Sequence, residues 1–299
     1  MITVCVVSYG SKDEIELIVQ RLLMDGLDFK LIILENLNSA VSGWKDFSLK
    51  IGELDFLLIA PEQNIGFGPG INLILGEITT KFALFLNPDC LPSTNSVFEI
   101  LHHMSSCECA ITSGKLLKSP GHLDSFLPFV FLPVSKPVLI GGREYSSIFR
   151  KTHFPGAFFL VNVNELQRLG GYSNLFMYFD ELDTTLRIQD KGGKVHLLDL
   201  EVGTHVRGTS SGDNLNFKSP LTAYCSTYSA IITAKSHYKI WLPLTIAARF
   251  TYSVSLLYKF NFDASLQTLR GILAGLGILS FKLPQRPAKK FPGRSIKVL

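Results

Sequence analysis

The chain has 299 residues, 46% of them hydrophobic and 18% charged. That composition excludes global disorder and leaves room for one large domain with an appendage, or two small domains. The net charge of +4 is unevenly spread: from Lys235 to Leu299 eleven Lys or Arg face the single acid Asp263, giving +10, which leaves residues 1–234 at −6. A basic, apolar tail on an acidic body points to an anionic surface as partner. The apolar runs between its charges favour a membrane surface over nucleic acid. The five cysteines, Cys5, Cys90, Cys107, Cys109 and Cys225, are odd in number and form no CxxC pair. This argues against a disulfide framework or a zinc site and fits a reducing compartment.

The opening MITVCVVSYG has no basic n-region, and its apolar stretch is too short for a signal peptide. It reads as a strand over Ile2–Ser8 ending at Tyr9-Gly10. Helical spacing follows over Asp13–Leu23, then strands at Phe29–Leu34 and Asp55–Ala60, a helix at Ile71–Ile78, and a strand at Phe82–Leu86 stopped by Asn87-Pro88. Alternating strands and helices predict a mainly parallel α/β sheet covered on both faces. Residues 116–150, rich in Pro, Gly and Phe, read as loops with short strands. Further on come a strand at Phe154–Val161, a short helix at Asp183–Asp190 closed by Gly192-Gly193, a strand at Val195–Leu200, and a polar loop over 207–218. Past Pro220 the character changes. The stretch Ile240–Tyr258 is interrupted by Pro243 and Arg249, which argues against a membrane span. Asp263 is placed to cap a helix carrying Leu266, Leu269, Leu273 and Leu276 on one face.

Five groups of residues carry candidate chemistry. Asn87-Pro88-Asp89 follows a strand, at the carboxyl edge where open α/β sheets bind ligands. A carboxylate there can hold Mg or Mn against a diphosphate, although an ordinary Asn-Pro-Asp turn is the competing reading. Glu35-Asn36 ends another strand and could grip a ribose or base, or form a solvated turn. The run Asn64-Ile65-Gly66-Phe67-Gly68-Pro69-Gly70-Ile71-Asn72 allows close backbone approach and could cradle phosphate, but it matches neither GxGxxG nor a Walker loop. Asp180, Glu181 and Asp183 crowd three carboxylates beside Phe176–Phe179 at a helix start. Such crowding in an apolar setting raises one pKa, as a general base requires; Asp183 alone is also explained as a helix cap. His205 follows the last strand, with Arg207, Thr209, Ser210 and Ser211 behind it in a loop able to close on a phosphate.

In this order, the segments VCVVSYG, NIGFGPGIN, LFLNPDC and GAFFLVNVNELQRLGGYSNLFMYFDELDTTLR followed by His205 resemble the GT2 family of inverting glycosyltransferases, and within it the bacterial rhamnosyltransferase-like branch. The resemblance covers about residues 1–212. It implies a GT-A fold, with Ser8, Tyr9, Glu35 and Asn36 at the nucleoside and the Asn64–Asn72 run beside it. It makes Asn87 and Asp89 the metal motif, with Asp89 and His205 as ligands of Mn2+ or Mg2+. The pair Asp180-Glu181 matches the motif that supplies the catalytic base, with Gly156-Ala157 beginning the acceptor-side strand. The sequence departs from the family at Glu35, where Asp is usual, at Asn87 in place of the first acid, and in the order Asp-Glu. This leaves open which of Asp180 and Glu181 is the base, Glu181 being favoured by its second position.

The expected organisation is a GT-A domain over 1–219, with a nucleotide-sugar half at about 1–115 and an acceptor half at about 116–219, and a helical, basic amphipathic extension over 220–299. The resemblance implies transfer from a dTDP- or UDP-linked sugar, rhamnose being the branch's commonest, to a glycan or lipid-linked oligosaccharide hydroxyl. With the tail, it implies a peripheral protein on the cytoplasmic face of the plasma membrane. The altered acids leave a catalytically silent sugar-nucleotide- or glycan-binding partner as the alternative. A nucleotidyltransferase would need a Gly-rich, Arg/Lys-bearing N-terminal loop, where VVSYGSKDE offers only Lys12.

Overall fold

The computed structural model describes residues 1–47, 54, 56–119, 122–125, 130–131, 136–137, 154–205 and 219–283. The apolar runs form β1 (Ile2–Ser8), β2 (Phe29–Glu35), β3 (Phe56–Ile59) and β4 (Phe82–Leu86), which pair in parallel in the order β3-β2-β1-β4. Period-2 alternation divides their side chains between the two faces of the sheet. Val4, Val6, Leu84 and Leu86 pack on one face with Ile15 and Ile18 of α1 (Lys12–Met24). Cys5, Ala83 and Phe85 pack on the other with Ile71 and Ile74 of α2 (Phe67–Leu75). Burial on both faces explains why the strands read as continuous hydrophobic runs.

The second half of the sheet is mixed. After β5 (Cys90–Pro92), α3 (Thr94–Ser106), β6 (Ile111–Ser119) and the short strands β7 (His122–Ser125), β8 (Val130–Phe131) and β9 (Lys136–Pro137) comes β10 (Phe158–Asn162). It inserts antiparallel between β4 and β6. The chain continues through α4 (Val163–Arg168) and α5 (Asp180–Asp190) into β11 (Val195–His205), which runs parallel to β6 and whose end pairs antiparallel with β5. The expectation of a mainly parallel sheet therefore describes the first half, and antiparallel pairings enter in the second.

Boundaries moved for identifiable reasons. The helix expected from Ile71 begins at Phe67, so the glycine run lies inside its first turns rather than in a loop. The strand expected from Phe154 begins at Phe158, and the helix expected from Asp183 begins at Asp180, which brings the whole acid cluster into its first turn. The strand β11 continues past Leu200 to His205. Helix α3 had no counterpart in the sequence reading. Asp55, most of 116–150 and the loop 207–218, with Arg207, lie outside the described residues.

The C-terminal part forms α6 (Pro220–His237), α7 (Leu242–Tyr258) and α8 (Phe262–Leu276). Pro220 sits in the first turn of α6, where its missing N–H costs nothing, and Ser219 caps it by accepting from Thr222 N. The cap of α8 is Asn261, which accepts from Ala264 N; Asp263, expected in that role, lies in the first turn instead. The leucine stripe of α8 is not its packing face. Its small residues face inward: Ser265, Thr268, Gly271 and Gly275 are buried, whereas Leu266 and Leu273 are exposed. Small residues let the α8 and α6 backbones approach so closely that a Cβ on Gly271 would stand 2.7 Å from the Tyr224 carbonyl oxygen.

Gly271→Val is therefore expected to destabilise the protein by about 1–3 kcal/mol, the usual cost of overpacking. Leu266→Ala on the opposite face should change stability by less than about 0.5 kcal/mol. Urea unfolding of the two variants beside the parent checks both.

Candidate active site

Parallel pairing puts Ser8 opposite Glu35 where β1 and β2 end. Glu35 is fully buried, and its carboxylate accepts from Ser8 Oγ (2.8 Å), Gly10 N (2.9 Å), Leu37 N (2.8 Å) and Trp44 Nε1 (3.3 Å). Four acceptances fill the usual capacity of a carboxylate. Glu35 thus fixes the turns after both strands, and Tyr9 stands on the first of them. Asn36 extends the frame by accepting from Ile65 N (3.0 Å) and donating to the Gly66 carbonyl (3.3 Å). Asn64 accepts from Gly66 N at 2.8 Å.

The glycines of that run have a packing reason. Gly66 has φ +87°, and a side chain on it would strike Phe176; one on Gly68 would strike the backbone of Ser173 and Leu175. Phe67 N donates to the Phe176 carbonyl at 2.8 Å. Asn72 clamps the same segment, donating to the Tyr172 carbonyl (3.0 Å) and accepting from Tyr172 N (2.8 Å). Residues read as a possible phosphate cradle therefore dock the start of α2 onto the segment that leads to the acid cluster.

The register of β5 with β11 pairs Cys90 with His205, and so brings the preceding Asp89 against His205. Their Oδ1 and Nε2 atoms are 3.2 Å apart, and both side chains are nearly buried. Asn87 starts the turn that carries Asp89, its carbonyl accepting from Cys90 N (3.0 Å) and its N–H donating to the Ala157 carbonyl (2.9 Å), and its Oδ1 is buried with no hydrogen-bond partner among the described residues. A carboxylate, an imidazole and a spare amide oxygen are a donor set suited to Mn2+ or Mg2+.

The acid cluster opens α5. Tyr178 and Phe179, immediately before it, both adopt left-handed backbone, at φ 65° and 61°. For bulky residues this stores of order 1–3 kcal/mol each, strain that persists only where surroundings over-determine it. The surroundings are α6, which holds the Met177 carbonyl through Ser229 Oγ (2.9 Å) and the Tyr178 hydroxyl against Thr222 Oγ1 (3.2 Å). The two candidate bases then diverge. Asp180 is buried, and Tyr172 Oη donates to its Oδ2 at 3.0 Å. Burial, with the neighbouring Glu181 charge, pushes its carboxyl well above the usual range. Glu181 extends over Gly156, which has no side chain to obstruct it, next to Ala157 and so next to Asn87. Burial also pushes Asp183 up, but hydrogen bonds from His237 and Ser173 and the charge of Arg187 outweigh it and hold the carboxyl below its ordinary value. Asp183 meets His237 Nε2 at 2.9 Å and Arg187 Nε at 3.0 Å, tying α5 to α6.

No protein-family model matches the chain. The rhamnosyltransferase WbbL of Escherichia coli K12 is 23% identical over 216 residues, covering 66% of this chain and 80% of its own length. Among solved structures, the mannosyltransferase PcManGT from Pyrobaculum calidifontis, in complex with GDP-Man and Mn2+, aligns over 92% of this chain and 86% of its own at TM-score 0.53 and 15% identity. TarS residues 1–349 from S. aureus, in complex with UDP-GlcNAc, aligns over 92% and 81% at TM-score 0.55 and 12% identity. This chain is a glycosyltransferase homologue with the GT-A fold.

Within that fold, the sequence reading missed three supporting residues. Neither Tyr172 nor His237 carried any signal of its own, and Arg249 read only as a break in an apolar stretch. Arg249 is 5% exposed and lies over the Phe179 ring at 5.6 Å, with Nε and Nη2 lacking hydrogen-bond partners among the described residues. Burial pushes its guanidinium down to about 10. Only a three-dimensional contact between α7 and the acid segment could have revealed it.

Because the folded-state pKa of Asp180 is raised, its protonated form favours the native state. That contribution is complete below the unfolded value near 3.9 and is lost as pH rises toward the folded one. Asp180→Asn, which stays neutral, is expected to gain stability relative to the parent as pH rises from about 4 to 7. Thermal unfolding of both proteins at several pH values in that window is the check, and a constant difference would contradict the assignment.

Proposed function

We propose that this glycosyltransferase homologue is an inverting transferase that uses a divalent metal and moves a sugar, rhamnose foremost, from a dTDP- or UDP-linked donor to a hydroxyl of a glycan or lipid-linked acceptor. The observation that carries the reading is the convergence of Asp89–His205 with Asp180–Glu181 at one edge of the sheet, joined through Gly156-Ala157 and Asn87. The likeness to WbbL supports rhamnose, and PcManGT, with its GDP-Man and Mn2+, supports a metal and a nucleotide-sugar donor.

Asp89 and His205 would hold the metal, with the unpartnered Asn87 Oδ1 as a candidate further donor. Bound there, a divalent ion supplies charge neutralisation for a diphosphate leaving group. The frame set by Glu35 and Asn36 shapes the wall against which Ser8, Tyr9 and the nucleoside lie. Glu181 takes the proton of the acceptor hydroxyl as its oxygen attacks the anomeric carbon from the face opposite the diphosphate. Asp180, buried and with its carboxyl pushed well above the usual range, positions the start of α5 through Tyr172. The strained Tyr178-Phe179 turn aims Glu181, and the C-terminal helices hold that turn in place.

The same helices support a membrane setting. The segment Lys239–Tyr258 is long and apolar enough to cross a membrane, yet its helix packs on α8 with Thr245, Arg249, Ser253 and Leu256 buried. Leu244, Phe250, Leu266 and Leu273 on the two helices are exposed, and Phe250 and Leu273 line an apolar groove of about 540 Å³ with Ile246, Leu269 and Ile272. A helix pair that turns large apolar residues outward is suited to lie in a lipid interface. The acceptor would then meet Glu181 at the surface of the bilayer, on the cytoplasmic side where nucleotide sugars are made.

Three outcomes test this reading. A thermal-shift screen of dTDP, UDP and GDP, with and without Mn2+, should give a metal-dependent rise of roughly 2–4 °C with one nucleotide, lost in Asp89→Ala. Glu181→Gln should keep that shift and lose about 10²–10⁴-fold in transfer rate, measured by product formation on a lipid-linked acceptor. Binding without any turnover by the parent would favour a catalytically silent partner. The triple variant Phe250→Ser, Leu266→Ser, Leu273→Ser should float with anionic vesicles at least about ten-fold less than the parent, given about 1.5–3 kcal/mol for each large apolar side chain that lipid would bury.

A further inference from the structure

At the end of the sheet remote from Asp89, four side chains converge that the transferase reading does not use. His103 lies in the last turn of α3, Cys107 immediately follows that helix, Cys109 precedes β6, and His196 is the second residue of β11. One ligand-capable atom from each lies within 4.8 Å of all the others. The ring nitrogens His103 Nε2 and His196 Nδ1 are 2.9 Å apart. The sulfurs of Cys107 and Cys109 are joined as a disulfide, a pairing the cysteine count had argued against.

The backbone fixes this meeting. His103 stands in the last turn of α3, and Cys107, the residue after its end, leaves the helix in extended backbone four residues on. The Ala110 N–H donates to the Lys194 carbonyl at 2.9 Å, and Thr112 is in register with His196, so the strand carrying His196 is locked beside the turn carrying Cys109. Tetrahedral zinc, with bonds of about 2.3 Å to sulfur and about 2.0–2.1 Å to nitrogen, separates its ligand atoms by roughly 3.3–3.8 Å. The observed spread brackets that range. Cys107 opens onto an adjoining cleft of about 530 Å³, lined by Lys81, Lys194, Glu108 and the Arg168–Glu165 ion pair.

We propose that His103, Cys107, Cys109 and His196 form a Cys2His2 site for one zinc-class divalent ion, which clips the end of α3 to the start of β11. Two thiolates and two imidazoles select zinc over the Mg2+ or Mn2+ suited to Asp89 and His205. The disulfide is the oxidised, metal-free form of the same site. A dithiol reductant opens it by two-electron exchange: each cysteine sulfur gains a proton, and the reductant leaves as its own disulfide. Zinc then displaces the two thiol protons as it binds. With His205 at one end of β11 and His196 near the other, the structural and catalytic sites would sit on the order of 30 Å apart along one strand.

The test uses the full-length protein, reduced with a dithiol, stripped of metal, freed of reductant without exposure to air and titrated with Co2+. One equivalent is expected to produce a thiolate-to-cobalt charge-transfer band with intense tetrahedral visible bands, and one equivalent of Zn2+ should bleach them. Asp89→Ala should leave these bands unchanged, because none of the four proposed ligands lies at the Asp89–His205 edge. Cys107→Ser should lose at least half of the charge-transfer intensity and weaken binding by about ten-fold or more. Absence of the band in reduced parent protein with native circular dichroism overturns the proposal without reliance on any variant. Its persistence at full intensity in Cys107→Ser overturns it independently.

Discussion

Three residues of antiparallel pairing, Cys90–Pro92 against Gly203–His205, decide where the candidate chemistry lies. Asp89 and His205 are 116 positions apart in the chain, and this short ladder at the sheet margin makes them neighbours. Gly203 permits it, since a side chain there would strike the Leu91 and Pro92 backbone. Everything else at the site is arranged around that meeting point. Asn87 is anchored to Ala157, Gly156 leaves space for Glu181, and the frame organised by Glu35 closes the other flank.

A second constraint acts from the C-terminal side. The Tyr178-Phe179 turn is unfavourable on its own, and its cost is offset by hydrogen bonds and packing from α6, with Phe176 seated against Tyr224 and Ala274. Asp183 and His237 bind the same two helices together. The extension is thus part of the machinery that aims the acid pair, and a single construction links the candidate membrane face to the candidate base.

Much of this was legible in the chain itself. Continuous apolar runs ending in Ser8, Glu35 and Asn87 marked buried strands and their carboxyl edges, because burial on both faces suppresses alternation. The order of the NIGFGPGIN, NPD and DELD segments carried the fold resemblance. What the sequence could not display were roles that arise from contact. The glycines of 66–70 read as a ligand loop because their partner, Ser173–Phe176, is a hundred residues away. Glu35 gave no sign that its oxygens are filled from within. The leucines of α8 looked like a packing stripe because periodicity reports that a helix has two faces without saying which one turns inward. The convergence of Cys107 and Cys109 with His196 was hidden because His196 arrives on the neighbouring strand β11, 87 residues after Cys109 in the chain.

The inward small residues of α8 have a practical consequence. The helix presents its largest apolar side chains to whatever surrounds the protein, and it does so as part of a rigid, well-packed unit that has no easy way to turn them in. In lipid-free buffer those side chains will meet the same surface on other molecules. The association state measured there will depend on protein concentration and on any amphiphile present, and so will describe the solvent as much as the protein.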